Sequence, residues 1–243
     1  MKSFRLISQM LLTSILIYIS VPLAAAETGA APNLEENLKK QGLVDIRTLD
    51  KDIIVQLKYT TADNFMKVDA YGDLEKCYLR PEAAKMLEQA QQILKKENPG
   101  LTLLVFDCVR PRSIQRKMWD LVKGSNLQQY VADPEKGSIH NYGAAVDLTI
   151  ADESGKEKNM GTPYLGGVQL DMGTPFDFFG ELAQPRLEEK FLKEKKLTEE
   201  QIKNRKILRK AMEKAGFIQL QIEWWHFNAF PSSVIKEKYS IIE

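Results

Sequence analysis

The sequence predicts a single α+β domain. Short apolar segments with β-branched and aromatic members recur along it, and two long segments carry helix start and stop signals. The two kinds do not follow the strict alternation of a doubly wound sheet. DIIVQLKY, residues 52–59, alternates with Ile53, Val55 and Leu57 on one face and reads as a strand. Arg80-Pro81 opens a helix over PEAAKMLEQAQQILKKE, with proline in its first turn and Asn98-Pro99-Gly100 closing it. LTLLVFD, residues 101–107, has the composition of a buried strand. Ser113 is placed to cap a helix through Lys123, which Gly124 ends. AAVDLTI, residues 144–150, is a further strand and runs into the polar turn ADESGKEKN. Thr198 and Gln201 form a capping box for a helix to Lys214, with Gly216 just past its end. FIQLQIEWW, residues 217–225, completes the set as a strand.

The ends of the chain carry other signals. Lys2 and Arg5 precede the apolar run LLTSILIYISVPL, and Ala24-Ala25-Ala26 supplies the small residues of a cleavage site. Residues 1–26 therefore read as a signal peptide, and the mature protein as exported to the periplasm or beyond. The apolar core is short for a span of about 20 residues, so no membrane attachment is expected after cleavage. Residues 27–36 read as a flexible leader, which leaves 37–243 as the domain. With 34 basic against 33 acidic side chains, the charge gives no case for nucleic acid or an anionic membrane surface. Export permits a disulfide between Cys77 and Cys108, and two buried thiols fit equally well. No Cys-x-x-Cys pair exists, so a thiolate zinc site is excluded. The near-duplicates NMGTP (159–163) and DMGTPF (171–176) are too short and isolated to mark a repeat fold.

The chain has two histidines, each near a carboxylate. His140 lies in GSIHNYGAAVD with Asp147 seven residues on, and His226 lies in IEWWHF with Glu223 three residues before it. In an extended segment Gly143, Ala145 and Asp147 share one face, while Val146 and Leu148 take the other. An acidic side chain inside an apolar strand needs a partner, and a metal ion supplies one. His140, Asp147 and His226 make a hydrolytic zinc ligand set that leaves the fourth position for water. Glu223 is then the candidate general base, which passes the proton to a leaving amine. On a regular strand, residues three apart face opposite ways, so a bulge or turn must bring Glu223 and His226 together. Such pairs also arise without a metal, and spacing alone leaves that reading open.

Ser138-x-His140-x-x-Gly143-x-Ala145-x-Asp147 and Glu223-Trp224-Trp225-His226 resemble the two signatures of the zinc D,D-peptidases that act on peptidoglycan precursors. The closer resemblance is to the D-alanyl-D-alanine dipeptidases of the VanX type. It includes Lys58-Tyr59-x-Thr61-x-Asp63-Asn64-Phe65, Asp107-x-x-Arg110-Pro111 and Met172-Gly173-x-x-Phe176-Asp177-Phe178. The resemblance implies a central antiparallel sheet with flanking helices, as in the hedgehog signalling domain, and one Zn2+ per chain. It implies that His140, Asp147 and His226 are the zinc ligands, Glu223 the base and acid, and Arg110 the oxyanion-steadying group. Tyr59, Ser138 and Asp177 resemble pocket residues that hold the dipeptide, with Asp177 facing its ammonium group.

The implied activity is hydrolysis of D-alanyl-D-alanine to two D-alanines. One departure bears on it. The connection from Asp147 to Asp177, including GTPYLGGVQLDMG, is longer than expected for the type and would lie beside the site. A D,D-carboxypeptidase trimming stem peptides is therefore an alternative. A third reading, a non-catalytic wall-peptide-binding module, would be expected to lack the base or the arginine, and Glu223 and Arg110 are both present.

Overall fold

The computed structural model describes residues 34–153 and 168–243. The expected signal peptide, the leader as far as residue 33, the NMGTP copy and the GTPYLGG part of the long connection lie outside the described residues. In chain order the elements are α1 (Leu34–Lys40), β1 (Val44–Asp45), β2 (Ile54–Val55), β3 (Tyr78–Leu79), α2 (Pro81–Glu97), β4 (Leu101–Asp107) and α3 (Arg112–Val122). There follow β5 (Ala145–Asp152), β6 (Val168–Gln169), α4 (Glu188–Lys193), α5 (Glu199–Lys214), β7 (Ile218–Gln219), β8 (His226–Asn228) and α6 (Ser232–Lys238). Short 3-10 turns join several of them, and β1 pairs separately with β3.

Six strands form the main sheet in the order β2-β4-β5-β8-β7, with β6 on the far end of β5. The sheet expected to be antiparallel is mixed, because β2 runs parallel to β4. The chain between them is long enough to cross over, since it includes α2. One sheet face is covered by α2 and α5. On β4 and β5, Leu103, Val105, Val146, Leu148 and Ile150 point into this core, and so does Phe227 of β8. Helix α2 meets it with Ala83, Ala84, Leu87, Ala90 and Leu94, a helical stripe. Gln91 on the same stripe is fully buried, and satisfies both ends of its amide with the Thr102 hydroxyl and the Leu103 N–H.

A β-bulge decides what reaches the other face. Val105 pairs with Leu148, but Asp107 pairs with Asp147, so β4 carries one residue more than β5 over this step. Without the extra residue Asp107 would lie opposite Val146, on the core side. The bulge turns it to the face that carries Asp147.

Several expectations need correction. The 52–59 strand shrinks to Ile54–Val55, because the chain turns into a 3-10 turn at Lys58–Thr60. Helix α3 starts at Arg112, not after a Ser113 cap. The Pro111 carbonyl accepts from both Ile114 and Gln115, and proline presets the entry angle. The 217–225 strand is a hairpin, β7 and β8 joined by residues 220–225. Trp224 and Trp225 are both buried, which adjacent residues of one half-exposed strand cannot achieve. Residues 34–36, expected in the leader, open α1, whose Leu38 is buried in the core.

The capping box of Thr198 and Gln201 forms as expected. Cys77 and Cys108 are joined in a disulfide with their Cα atoms 5.4 Å apart, which decides between the two cysteine readings. The bond ties the segment before β3 to the end of β4 across 31 residues. Closing a loop of that length restricts the unfolded chain, a stabilisation of about 3–4 kcal/mol in the chain-entropy account. Equilibrium urea unfolding of a Cys77→Ala/Cys108→Ala variant should show a loss of that order. An unchanged midpoint would contradict it.

Candidate functional site

Strands β5 and β8 pair antiparallel, with Asp147 opposite His226 and Ala145 opposite Asn228. Asp147, His226 and Asn228 therefore share the face away from the core, where Ala145 leaves room. His140 arrives from a separate 3-10 turn, Ile139–Tyr142. Ser138 caps that turn with its side chain, and Gly143 ends it at φ 69°. A side chain at Gly143 would meet Leu43 in an already strained conformation, so glycine is needed there. Asn141 ties the turn down by donating to the Arg110 carbonyl and accepting from the Ser138 N–H.

Three donor atoms converge. His140 Nε2 lies 3.1 Å from His226 Nδ1, and Asp147 Oδ1 is 3.2 Å from the first and 2.9 Å from the second. The opposite nitrogen of each ring is already committed. His140 Nδ1 donates to the Cys108 carbonyl at 2.6 Å, and His226 Nε2 donates to Asn228 Oδ1 at 3.0 Å. In the neutral imidazoles the two inward nitrogens are then bare acceptors, facing a carboxylate that also only accepts. Three lone pairs at this distance repel unless a cation sits between them. Bond lengths of about 2.0–2.1 Å at a tetrahedral zinc place its ligand atoms roughly 3.3 Å apart, so the spacing suits such an ion. Outer hydrogen bonds of this kind are also how metal-binding histidines are oriented. The residues fit a divalent metal.

The surrounding charge points the same way. Asp107 is fully buried, and its Oδ1 accepts from the Tyr71 hydroxyl and the Cys108 N–H. Its Oδ2 accepts from Arg110 Nε and Nη2 at 3.0 and 2.6 Å. Tyr59 puts its ring 5.3 Å from the Arg110 guanidinium and donates its hydroxyl to Asp177 Oδ2 at 2.9 Å. Asp177 holds a left-handed backbone at φ 59°, uncommon for a residue other than glycine and often found at binding sites. Burial pushes its carboxyl up to about 7, against the Tyr59 hydrogen bond and with the charge of Asp147. Glu223, in the β7–β8 hairpin, is raised to about 8 by burial, opposed by His226 and reinforced by Asp147 and Asp177.

All eight residues singled out from the sequence line one cavity of about 260 Å3: Tyr59, Arg110, Ser138, His140, Asp147, Asp177, Glu223 and His226. That volume lies just below the range of about 300–1,000 Å3 usual for ligand pockets and suits a small ligand. The sequence reading assigned no role to Asp107, Asn141, Asn228 or Gln115, which support these residues from behind. Asp107 stood in the sequence only as the first residue of the Asp107-x-x-Arg110-Pro111 motif, and Asn228, two residues after His226 on a strand, shares its face.

The chain is also similar to known proteins over most of its length. The family profile Peptidase_M15, described as D-ala-D-ala dipeptidase, matches residues 39–242. A D-alanyl-D-alanine dipeptidase of Escherichia coli K12 is 31% identical over 185 residues, covering 76% of this chain and 83% of its own. One from Synechocystis is 29% identical over 176 residues, covering 62% and 68%. One from Enterococcus faecalis is 28% identical over 187 residues, covering 70% and 82%.

Two outcomes follow from the site alone. Asn228→Leu removes the acceptor that fixes the His226 ring, and should weaken divalent-metal affinity by roughly 10- to 100-fold in a chelator competition. Affinity equal to wild type would mean the tautomer is set elsewhere. The second concerns the metal-free protein. Glu223 has a folded pKa of about 8 against an unfolded 4.5, so its contribution favours folding below about 4.5 and is lost as pH rises through 8. Glu223→Gln should match wild type near pH 4.5 and become the more stable of the two by pH 8, by on the order of a few kcal/mol. Thermal melts at both pH values check the sign, and a constant difference between the proteins would contradict it.

Proposed function

The chain belongs to the Peptidase_M15 family of D-Ala-D-Ala dipeptidases, and from that premise we propose that it is an exported zinc dipeptidase with a hedgehog-like fold. Its substrate is D-alanyl-D-alanine from peptidoglycan precursors or wall turnover, cut to two D-alanines for salvage. The observation that carries this reading is the gathering of the eight residues at one small cavity. The Cys77–Cys108 disulfide supports export, since such bonds persist in oxidising compartments.

His140, Asp147 and His226 hold the zinc. Bound there, zinc supplies Lewis acidity that lowers the pKa of a coordinated water from about 15.7 to about 7. Asp177 receives the substrate ammonium, and its hydrogen bond from Tyr59 fixes the carboxylate that does so. The ammonium also favours the ionised form of Asp177, offsetting the burial that raises its pKa. Ser138 accepts from the His140 N–H through its hydroxyl oxygen, which leaves the hydroxyl proton free for the other end of the dipeptide. Glu223 removes a proton during attack on the peptide carbonyl and returns it to the leaving amine. A base kept at a raised pKa can do both near neutral pH. Arg110 directs its free N–H groups at the oxyanion, where fixed donors act without reorganising.

The dipeptide is favoured over longer stems by the size of the cavity and by a carboxylate suited to a free ammonium, which an extended peptide does not present there. Purified mature protein loaded with zinc should release D-alanine from D-alanyl-D-alanine and leave a pentapeptide stem intact. Release from the pentapeptide would make it a carboxypeptidase, and silence on both would remove the enzymatic reading. Glu223→Ala should keep one zinc per chain and lose about 10²- to 10⁴-fold in turnover. An unchanged rate would exclude Glu223 as the base.

A further inference from the structure

Resting on the oxyanion role proposed for Arg110, we infer that Gln115 is a positioning residue that fixes the rotation of the Arg110 guanidinium. Both contacts from Asp107 end on the single atom Oδ2, because Oδ1 is occupied by the Tyr71 hydroxyl and the Cys108 N–H. Asp147 Oδ2 lies 3.6 Å from Nη2, within ion-pair range but beyond hydrogen-bond reach. The guanidinium is thus hydrogen-bonded to a carboxylate through one oxygen only, and is hinged, not clamped as by a two-oxygen fork. The Tyr59 ring beside it limits tilting out of the plane, but not rotation within it.

Gln115 supplies the second point. Its Oε1 accepts from Arg110 Nη1 at 3.0 Å, the guanidinium nitrogen that Asp107 does not contact. Its Nε2 donates to the Ala132 carbonyl at 2.8 Å, which settles which end of the amide faces the arginine. The side chain is fully buried on the first turn of α3, with no water-facing alternative for either end. Of the five guanidinium N–H groups, three are then used in hydrogen bonds within the protein; one on Nη1 remains for a ligand, and Nη2 keeps one N–H with Asp147 Oδ2 3.6 Å from the nitrogen. The same bond links the arginine to Ala132, which lines the cavity wall together with Tyr130 and Val131.

The test uses Gln115→Met, which keeps the volume and removes both hydrogen bonds. With D-alanyl-D-alanine as substrate, kcat should fall roughly 10²-fold, the cost of a small misplacement of a reacting group, while KM holds. Affinity for a phosphinate dipeptide, measured by calorimetry, should fall by a comparable factor, since it carries the tetrahedral oxyanion. Zinc content should remain at one per chain. In an Arg110→Ala background Gln115→Met should have no further effect, whereas a general packing role would give additive losses. Gln115→Glu keeps an acceptor for Arg110 Nη1 but turns a second oxygen toward the Ala132 carbonyl, so its kcat should fall less than that of Gln115→Met.

Additive losses, or a folded Gln115→Met with unchanged kcat and unchanged phosphinate affinity, would overturn the assignment. Should Gln115→Met fail to fold, a Gln115→Glu protein as impaired as Arg110→Ala would overturn it too. A wild-type protein inactive on the dipeptide would sink the functional reading instead, and phosphinate binding by wild type and Gln115→Met would still decide the role of Gln115.

Discussion

The register of β5 against β8 is the constraint on which the rest of the site depends. It sets Asp147 directly opposite His226 on the face away from the core, and Val146 opposite Phe227 within it. A slip of one residue would bury the acid in the apolar core and expose the aromatic ring. Core packing and site assembly are thus enforced by the same pairing. His140, carried on its own capped turn, then needs only to bring one nitrogen to the pair. With both imidazoles neutral, the three atoms that meet there are all acceptors, and a cation between them makes the arrangement favourable.

The end of β4 does the supporting work over four residues. Asp107 holds the arginine, the Cys108 carbonyl orients the His140 ring, and Arg110 itself faces the cavity. All of this depends on the bulge that turns Asp107 to the site face. The Cys77–Cys108 disulfide anchors this stretch to the chain before β3, so the crosslink that limits the unfolded state also sits directly behind the histidine. On the other side, Trp224 donates its indole N–H to Thr174, and Gln219 donates to the Trp224 carbonyl. These bonds pin the hairpin residue next to Glu223. The DMGTPF copy of the short duplicate therefore has a structural use, which its isolation in the sequence did not suggest.

Helices α2 and α5 were legible because their caps and apolar stripes are local, written within a few residues of one another. The long strands β4 and β5 were legible as apolar runs. Short strands were not. Residues 52–59 and 217–225 have strand composition, yet the first is shortened by a 3-10 turn that delivers Tyr59 to the cavity, and the second is folded back so that both tryptophans reach the core. Both failures lie beside the site, where the demands of its geometry override local preference. The requirement that Glu223 and His226 be brought together by a turn could be stated from spacing, whereas the hairpin that does so could not. The eight polar side chains that converge on the cavity stood out through their chemistry and motif spacing, whereas wall residues such as Tyr130 and Val131 did not. Those behind them, Asp107 and Gln115 above all, act on the nearby Arg110 through the bulge at the end of β4 and the turn into α3, a geometry that no periodicity records.

X-ray absorption at the zinc edge of the reconstituted protein tests the central claim most directly. The arrangement predicts one zinc per chain, coordinated by two imidazole nitrogens and light oxygen ligands at about 2.0–2.1 Å. The imidazole scattering should halve in His226→Ala. Zinc that binds without imidazole scattering, or with a first shell indifferent to that substitution, would mean that His140, Asp147 and His226 do not hold the metal.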